Sequence, residues 1–192
     1  TAAALIERFG VDRIVFTGTA GGLAEGVRVG DLVVADAFMQ HDMDAAPLFP
    51  RFEVPLYGQS RFAVDAGLSQ ALAQAARSAV AAPIVTLGAD AVAEFGLGAP
   101  RVHQGLIVSG DRFVATSAES AALRAALPDA LAVEMEGAAV AQVCHDYGLP
   151  FAAVRTVSDR ADDAAHVDFM RFIDQVASRY SAAILEHYFE TL

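Results

Sequence analysis

The chain has 192 residues, 55% of them hydrophobic and 19% charged, with a formal net charge of −11. That length fills one α/β core and is short for two ordinary domains, so a single domain over 1–192 is expected. The acidic balance, with no Lys/Arg-rich run, argues against a nucleic-acid footprint and leaves a small molecule as the expected ligand.

Thr1 to Gly10 reads as a helix in progress, with Leu5, Ile6 and Phe9 on one face and Gly10 as its stop. Glu7 breaks its apolar stretch and no basic leader is present, so a signal peptide is not expected. Val11 to Phe16 is an apolar run of strand length, closed by the small residues Thr17 to Gly22. Asp31 to Phe38 is a second strand. From Met39 to Phe62, Pro47, Pro50, Pro55 and Gly58 break the pattern into a long ordered loop. Its apolar Leu48, Phe49, Phe52 and Tyr57 need burial, which a second subunit would supply, so a homodimer is expected.

Leu68 to Ala82 is helical by its alanine content and lack of breakers. Pro83 to Pro100 is a Gly/Pro-punctuated insertion with a short apolar run at Ile84 to Leu87. Gly105 to Ser109 is the next strand. Ser117 is expected to cap a helix over Ala118 to Leu127, which Pro128 stops. Leu131 to Glu134 is a strand, Glu136 to Tyr147 a helix ended by Gly148 and Pro150, and Phe151 to Val157 a strand. The last segment starts at Asp168 as N-cap and repeats Phe169, Phe172, Ile173, Val176, Tyr180, Ile184 and Tyr188 at helical spacing. This alternation predicts a three-layer α/β/α sandwich around a mixed, mainly parallel central sheet. Cys144, the one cysteine, allows no intramolecular disulfide and no cysteine-cluster metal site, which fits a reducing cytoplasm. No apolar run reaches membrane-spanning length, so no membrane partner is expected.

Two segments carry acids at strand ends, where α/β folds build ligand crevices. Val133-Glu134-Met135-Glu136-Gly137-Ala138-Ala139 runs straight into an alanine-rich helix, and Phe151 to Asp159 ends with Arg155, Ser158 and Asp159. An acid that accepts hydrogen bonds from a diol, beside one that donates a proton, suits cleavage of a glycosidic bond. The residues also allow plainer roles. Ser158-Asp159 suits the cap of a following turn, Glu136 suits the first turn of a helix, Glu134 reads as structural, and Arg155 suits a buried ion pair. Thr19, Ala20 and Gly21 permit close backbone approach to a sugar or an anion. His41-Asp42-Met43-Asp44, His103 and His166 lack a ligand spacing, so no metal is expected.

These segments, with Thr17-Gly18-Thr19-Ala20-Gly21-Gly22-Leu23, Val29 to Val34 and Gly105 to Phe113, resemble the nucleoside phosphorylase and nucleosidase superfamily, block for block and in its order. Within it the likeness is greatest to members that split 5'-methylthioadenosine and S-adenosylhomocysteine into adenine and a thioribose. The resemblance implies that Asp159, with Ser158, protonates the purine at N7, and that Glu136 binds the ribose 2'- and 3'-hydroxyls with Met135 against the sugar. It also implies that Phe113 stacks on the purine, the Val114 backbone reads its edge, and Phe169 closes over it. Thr19, Ala20 and Gly21 would bind the substrate, and Arg155 would orient a carboxylate, a ribose hydroxyl or a glutamate of the family's N-terminal segment. Leu48 and Phe49 would line the site of the 5' substituent, reached from the neighbouring subunit.

The family's phosphorylases carry a phosphate-binding arginine where this chain has Phe16, which favours water over phosphate as nucleophile. The resemblance implies no cofactor. In the family a strand-rich N-terminal stretch, bearing the glutamate that activates water, precedes the first helix. Nothing here matches it, so an N-terminally incomplete domain is expected. A purine nucleoside phosphorylase and a nucleoside-binding, inactive member are the alternatives.

Overall fold

In this computed structural model, residues 1–161 and 169–190 are described. Strands β1 (Ile14–Gly22), β2 (Leu32–Gln40), β3 (Arg61–Ala63), β4 (Val102–Ser109), β5 (Ala130–Glu134) and β6 (Phe151–Asp159) form one six-stranded sheet in the order β3-β2-β4-β5-β1-β6. The sheet closes on itself, because β2 also pairs with β6, Leu32 to Val34 lying against Thr156 to Val154. A bulge at Asp36 shifts the β2 register, and beyond it the same edge of β2 takes β3 in place of β6. A bulge bends its strand and steepens the twist. This one lets β2 leave the closed part of the sheet.

The sheet is mixed, as expected, and its pairings divide evenly: β2–β4, β4–β5 and β1–β6 run parallel, whereas β1–β5, β2–β6 and β2–β3 run antiparallel. Along β2 the pleat sends successive residues to opposite faces. Leu32 and Val34 meet Leu72, Ala76, Tyr180 and Ile184 of helices α2 (Ala66–Val80) and α8 (Ser178–Glu190). Val33 and Ala35 meet Ala138, Ala141 and Cys144 of the alanine-rich helix over Gly137–Tyr147. Helices therefore cover both faces, each through an apolar stripe.

Several element boundaries differ from the sequence reading, each for a local reason. Thr17 to Gly22 is not a closing turn but the second half of β1, which continues because its small residues let neighbouring side chains cross it. Ser158 and Asp159 likewise belong to β6, Asp159 standing opposite Gly21. The insertion folds into two short helices, α3 (Pro83–Leu87) and α4 (Ala89–Glu94), with Pro83 in the first turn of α3, where its missing N–H costs nothing. Thr116, one residue before Ser117, caps α5 (Ser117–Ala126) by accepting from Glu119 N at 3.2 Å. Glu136 is the residue before α6 (Gly137–Tyr147) and lies outside helical geometry.

Helix α1 (Ala2–Phe9) ends at left-handed Gly10, as the pattern predicts, but Phe9 stays 75% exposed. In the loop, Leu48 and Leu56 are exposed while Val54 is buried. The C-terminal stripe is continuous as expected, interrupted by one π turn (Ile173–Ala177) between α7 (Phe169–Phe172) and α8. Asp168 and His166 lie outside the described residues.

Candidate active site

The C-terminal ends of β1, β5 and β6 meet at a cavity of about 240 Å³. Strand β1 contributes Thr19, Ala20 and Gly21. Beyond β5 stand Met135 and Glu136, and β6 ends in Ser158 and Asp159. Phe113 and Val114 come from the loop after β4, and Phe169 from the start of α7. Every purine, ribose and proton-donor position named from the sequence thus faces one space. Arg155, Leu48 and Phe49 do not line it.

Asp159 is buried, and both its oxygens are engaged. Oδ2 accepts from Ser158 Oγ at 2.7 Å, and Oδ1 accepts from Ala161 N at 2.7 Å. The second bond is the turn cap that Ser-Asp suggests, with Ala161 in the left-handed region at φ 49. The two roles coexist, because the carboxyl that closes the turn also lines the cavity. Opposite it, Gly21 leaves the required space: a Cβ there would stand 2.9 Å from Asp159 Oδ1 and 3.0 Å from Ala161 Cβ.

Glu134 holds the floor of the site. It lies at the cavity wall and is 6% exposed. Its Oε1 accepts from Ser109 Oγ, from Gly137 N at 2.9 Å and from Glu136 N at 3.2 Å. Oε2 accepts from Arg155 Nη2 at 2.5 Å and Nε at 3.2 Å. Ser109 Oγ accepts in turn from Ala138 N at 2.8 Å. The carboxylate that satisfies the open N–H groups of α6 is therefore Glu134, and Glu136 makes no side-chain capping bond. Glu136 is left at the mouth of the cavity, on an exposed residue.

Arg155 lies behind the wall, 1% exposed, as half of a buried ion pair with Glu134. Its guanidinium carbon sits 4.0 Å from the centre of the Phe16 ring, a cation–π contact. Phe16, where an arginine would hold phosphate, therefore covers a cation of the chain's own. The sequence reading missed Ser109, Val133 and Arg112, of which the last two line the cavity. Ser109 lies within a block the resemblance quotes, but its link to Glu134 spans 25 positions and has no local signature.

A second cavity, about 330 Å³, shares Arg112, Phe113 and Val114 with the first and is bounded by His41, Asp42 and Arg51. Burial pushes the His41 imidazole below its ordinary range, against the weaker pull of Asp42. Asp42 Oδ2 accepts from Asp111 N at 2.7 Å, so the His-Asp segment braces the loop before Phe113. Among the described residues no group of three or more His, Cys, Asp or Glu side chains is placed to hold a metal ion, and no helix is long and apolar enough to cross a membrane.

Comparison with known proteins gives consistent matches. The sequence model of the phosphorylase superfamily matches residues 1–190. A 5'-methylthioadenosine/S-adenosylhomocysteine nucleosidase of Shewanella denitrificans is 36% identical over 183 residues, covering 94% of this chain and 70% of that protein. The crystal structure of the corresponding nucleosidase of Neisseria meningitidis, in complex with methylthio-immucillin-A, is 38% identical, with a TM-score of 0.82 over 100% of this chain and 74% of that one. An S-adenosylhomocysteine nucleosidase of Streptococcus pyogenes, in complex with 5-methylthiotubericidin, is 33% identical, with a TM-score of 0.80 over 100% of this chain and 72% of that one.

Proposed function

The chain belongs to the phosphorylase superfamily, and from that membership and the lining of its cavity we propose that it hydrolyses the N-glycosidic bond of 5'-methylthioadenosine and S-adenosylhomocysteine. The products are adenine and the 5'-thioribose. The observation that carries this reading is the meeting of Asp159, Glu136 and Phe113 around one cavity, since an acid, a diol acceptor and a flat apolar surface are the groups such a bond requires.

In this reading the purine lies against Phe113 under Phe169, with the Val114 backbone at its edge. Asp159 delivers a proton to N7 as the bond from C1' to the base breaks. The bonding electrons leave with the base, which departs neutral, and the sugar passes through an oxocarbenium-like state. Ser158 keeps the Asp159 carboxyl in position through its 2.7 Å bond. Glu136 accepts from the ribose 2'- and 3'-hydroxyls, and its charge favours the cationic sugar. Met135 packs on the sugar, and the small side chains of Thr19, Ala20 and Gly21 let it approach the sheet. A water oxygen then bonds to C1' and its surplus proton passes to solvent, while the Asp159 carboxylate takes a proton back from solvent, so the acid is restored for the next turnover.

Arg155 acts at one remove. It holds Glu134, which fixes the start of α6 and with it Met135 and Glu136. Phe16, which stands where the family's phosphorylases carry a phosphate-binding arginine and here stacks on Arg155, favours water over phosphate as nucleophile, because a phenyl ring cannot hold an anion through charge. Leu48 and Phe49 would serve the 5' substituent of a neighbouring protomer in a homodimer. The reaction needs no cofactor and fits methionine salvage in the cytoplasm. Adenine release from methylthioadenosine, followed with and without phosphate, tests the proposal: release independent of phosphate supports it, and strict phosphate dependence makes the protein a phosphorylase.

A further inference from the structure

The insertion over 83–100 contributes no residue to the cavity wall, yet it is tied to two segments that do. Phe95 packs edge-on against Phe172, with ring centroids 5.4 Å apart and planes at 89°. Glu94 Oε1 lies 2.5 Å from Arg171 Nη2. Arg171 and Phe172 belong to α7, and the first residue of α7, Phe169, lines the cavity. A helix this short, continued at once by a π turn, has little intrinsic preference for one position. Its placement is set by what it packs against.

The second tie runs to the acid. Leu97, 2% exposed, fills the space where a side chain at residue 30 would stand. Gly30 N donates to Val157 O at 2.9 Å, and Val157 N donates to Asp31 O at 2.8 Å. Val157 immediately precedes Ser158 and Asp159. The insertion is itself anchored, since Leu87 and Ala91 share the core of Phe172 and Val176, and Arg179 Nη1 donates to Leu87 O.

We infer that the insertion over 83–100 is a brace for α7, and that Phe95 is a positioning residue that holds Phe169 over the purine. The brace rests on the functional reading above for its consequence, but not for its geometry. It makes affinity for the base depend on a segment that touches no substrate. Loss of the Phe95 ring frees α7 to shift, which weakens binding of the base more than it slows bond cleavage.

The chain contains no tryptophan, so Phe169→Trp introduces a single fluorescent reporter at the cavity. Adding Phe95→Ala to it is expected to raise acrylamide quenching of that reporter about twofold or more, by loosening a locally held segment. Phe95→Tyr and Phe62→Ala, the latter the same truncation at a buried ring in the cluster that packs on α6, should leave quenching unchanged. With a native ring at 169, Phe95→Ala should raise KM for methylthioadenosine about fivefold with little change in kcat. In a Phe169→Ala background it should add nothing further. Unchanged quenching in Phe95→Ala, or an equal rise in Phe62→Ala, overturns the brace. If the protein releases no adenine, the functional reading fails while the quenching result still decides this one.

Discussion

Arg155 on β6 reaches across β1 to Glu134 on β5, its Nη2 lying 2.5 Å from Oε2, and it passes over Gly18, where a Cβ would stand 2.7 Å from Nη1. The pair is a cross-sheet tie, made possible by a glycine in the strand between its ends. Both side chains are almost fully buried. Glu134→Ala leaves the guanidinium buried without its anion, and a loss of about 3–5 kcal/mol in unfolding free energy is expected. Urea denaturation checks this. Gly18→Ala is expected to destabilise in the same direction, because the new methyl displaces the guanidinium.

Asp159→Asn keeps the shape of the turn and removes the proposed proton donor. Turnover is expected to fall about a thousandfold or more, within the span such general acids contribute, while adenine still binds. Near-normal turnover would remove Asp159 from that role. Ser158→Ala should lower kcat more than it raises KM, since in the proposed mechanism its hydroxyl steadies Asp159 through their 2.7 Å bond.

In the proposed mechanism Glu136→Gln keeps an acceptor for one ribose hydroxyl and loses the charge. A fall of about tenfold to a hundredfold in kcat/KM is expected, the scale of one charge-assisted hydrogen bond or somewhat more. A substrate lacking the 2'-hydroxyl should show a smaller effect of the substitution. Equal effects on both substrates would place Glu136 away from the diol.

Cys144 is buried in α6, and burial disfavours its thiolate, pushing the thiol up to about 11 from an ordinary 9.0. The reactive species is the thiolate, so at pH 8 the folded protein should react about a hundredfold more slowly with a thiol reagent than its ordinary pKa would allow. In urea the rate should rise to that of a free cysteine. Rapid labelling of the native protein would contradict the packing of α6.

The parts of the site legible in the sequence were those compressed into short blocks. Glu136, Ser158 and Asp159 stand at strand ends marked by their neighbours, and all of them reach the cavity. What was not legible depends on contacts distant in sequence. The closing pair β2–β6 joins Leu32 to Thr156, and no local pattern records it. The extension of β1 through Gly18 and Gly21 runs against the low strand preference of glycine. Only the crossing of Arg155 and the approach of Asp159 explain it. The Gly/Pro punctuation over 83–100 marks an insertion, but its two short helices are held by Leu87, Ala91 and Leu97, whose shared burial appears only in three dimensions.

Adenine release from 5'-methylthioadenosine by the chain and its Asp159→Asn variant, with and without inorganic phosphate, tests both the reaction and its acid. Release by the unaltered chain at a rate that phosphate does not change, and its loss in the variant, are expected of a nucleosidase that uses Asp159 as its acid. Release that requires phosphate, or an equal rate from the variant, would contradict that assignment.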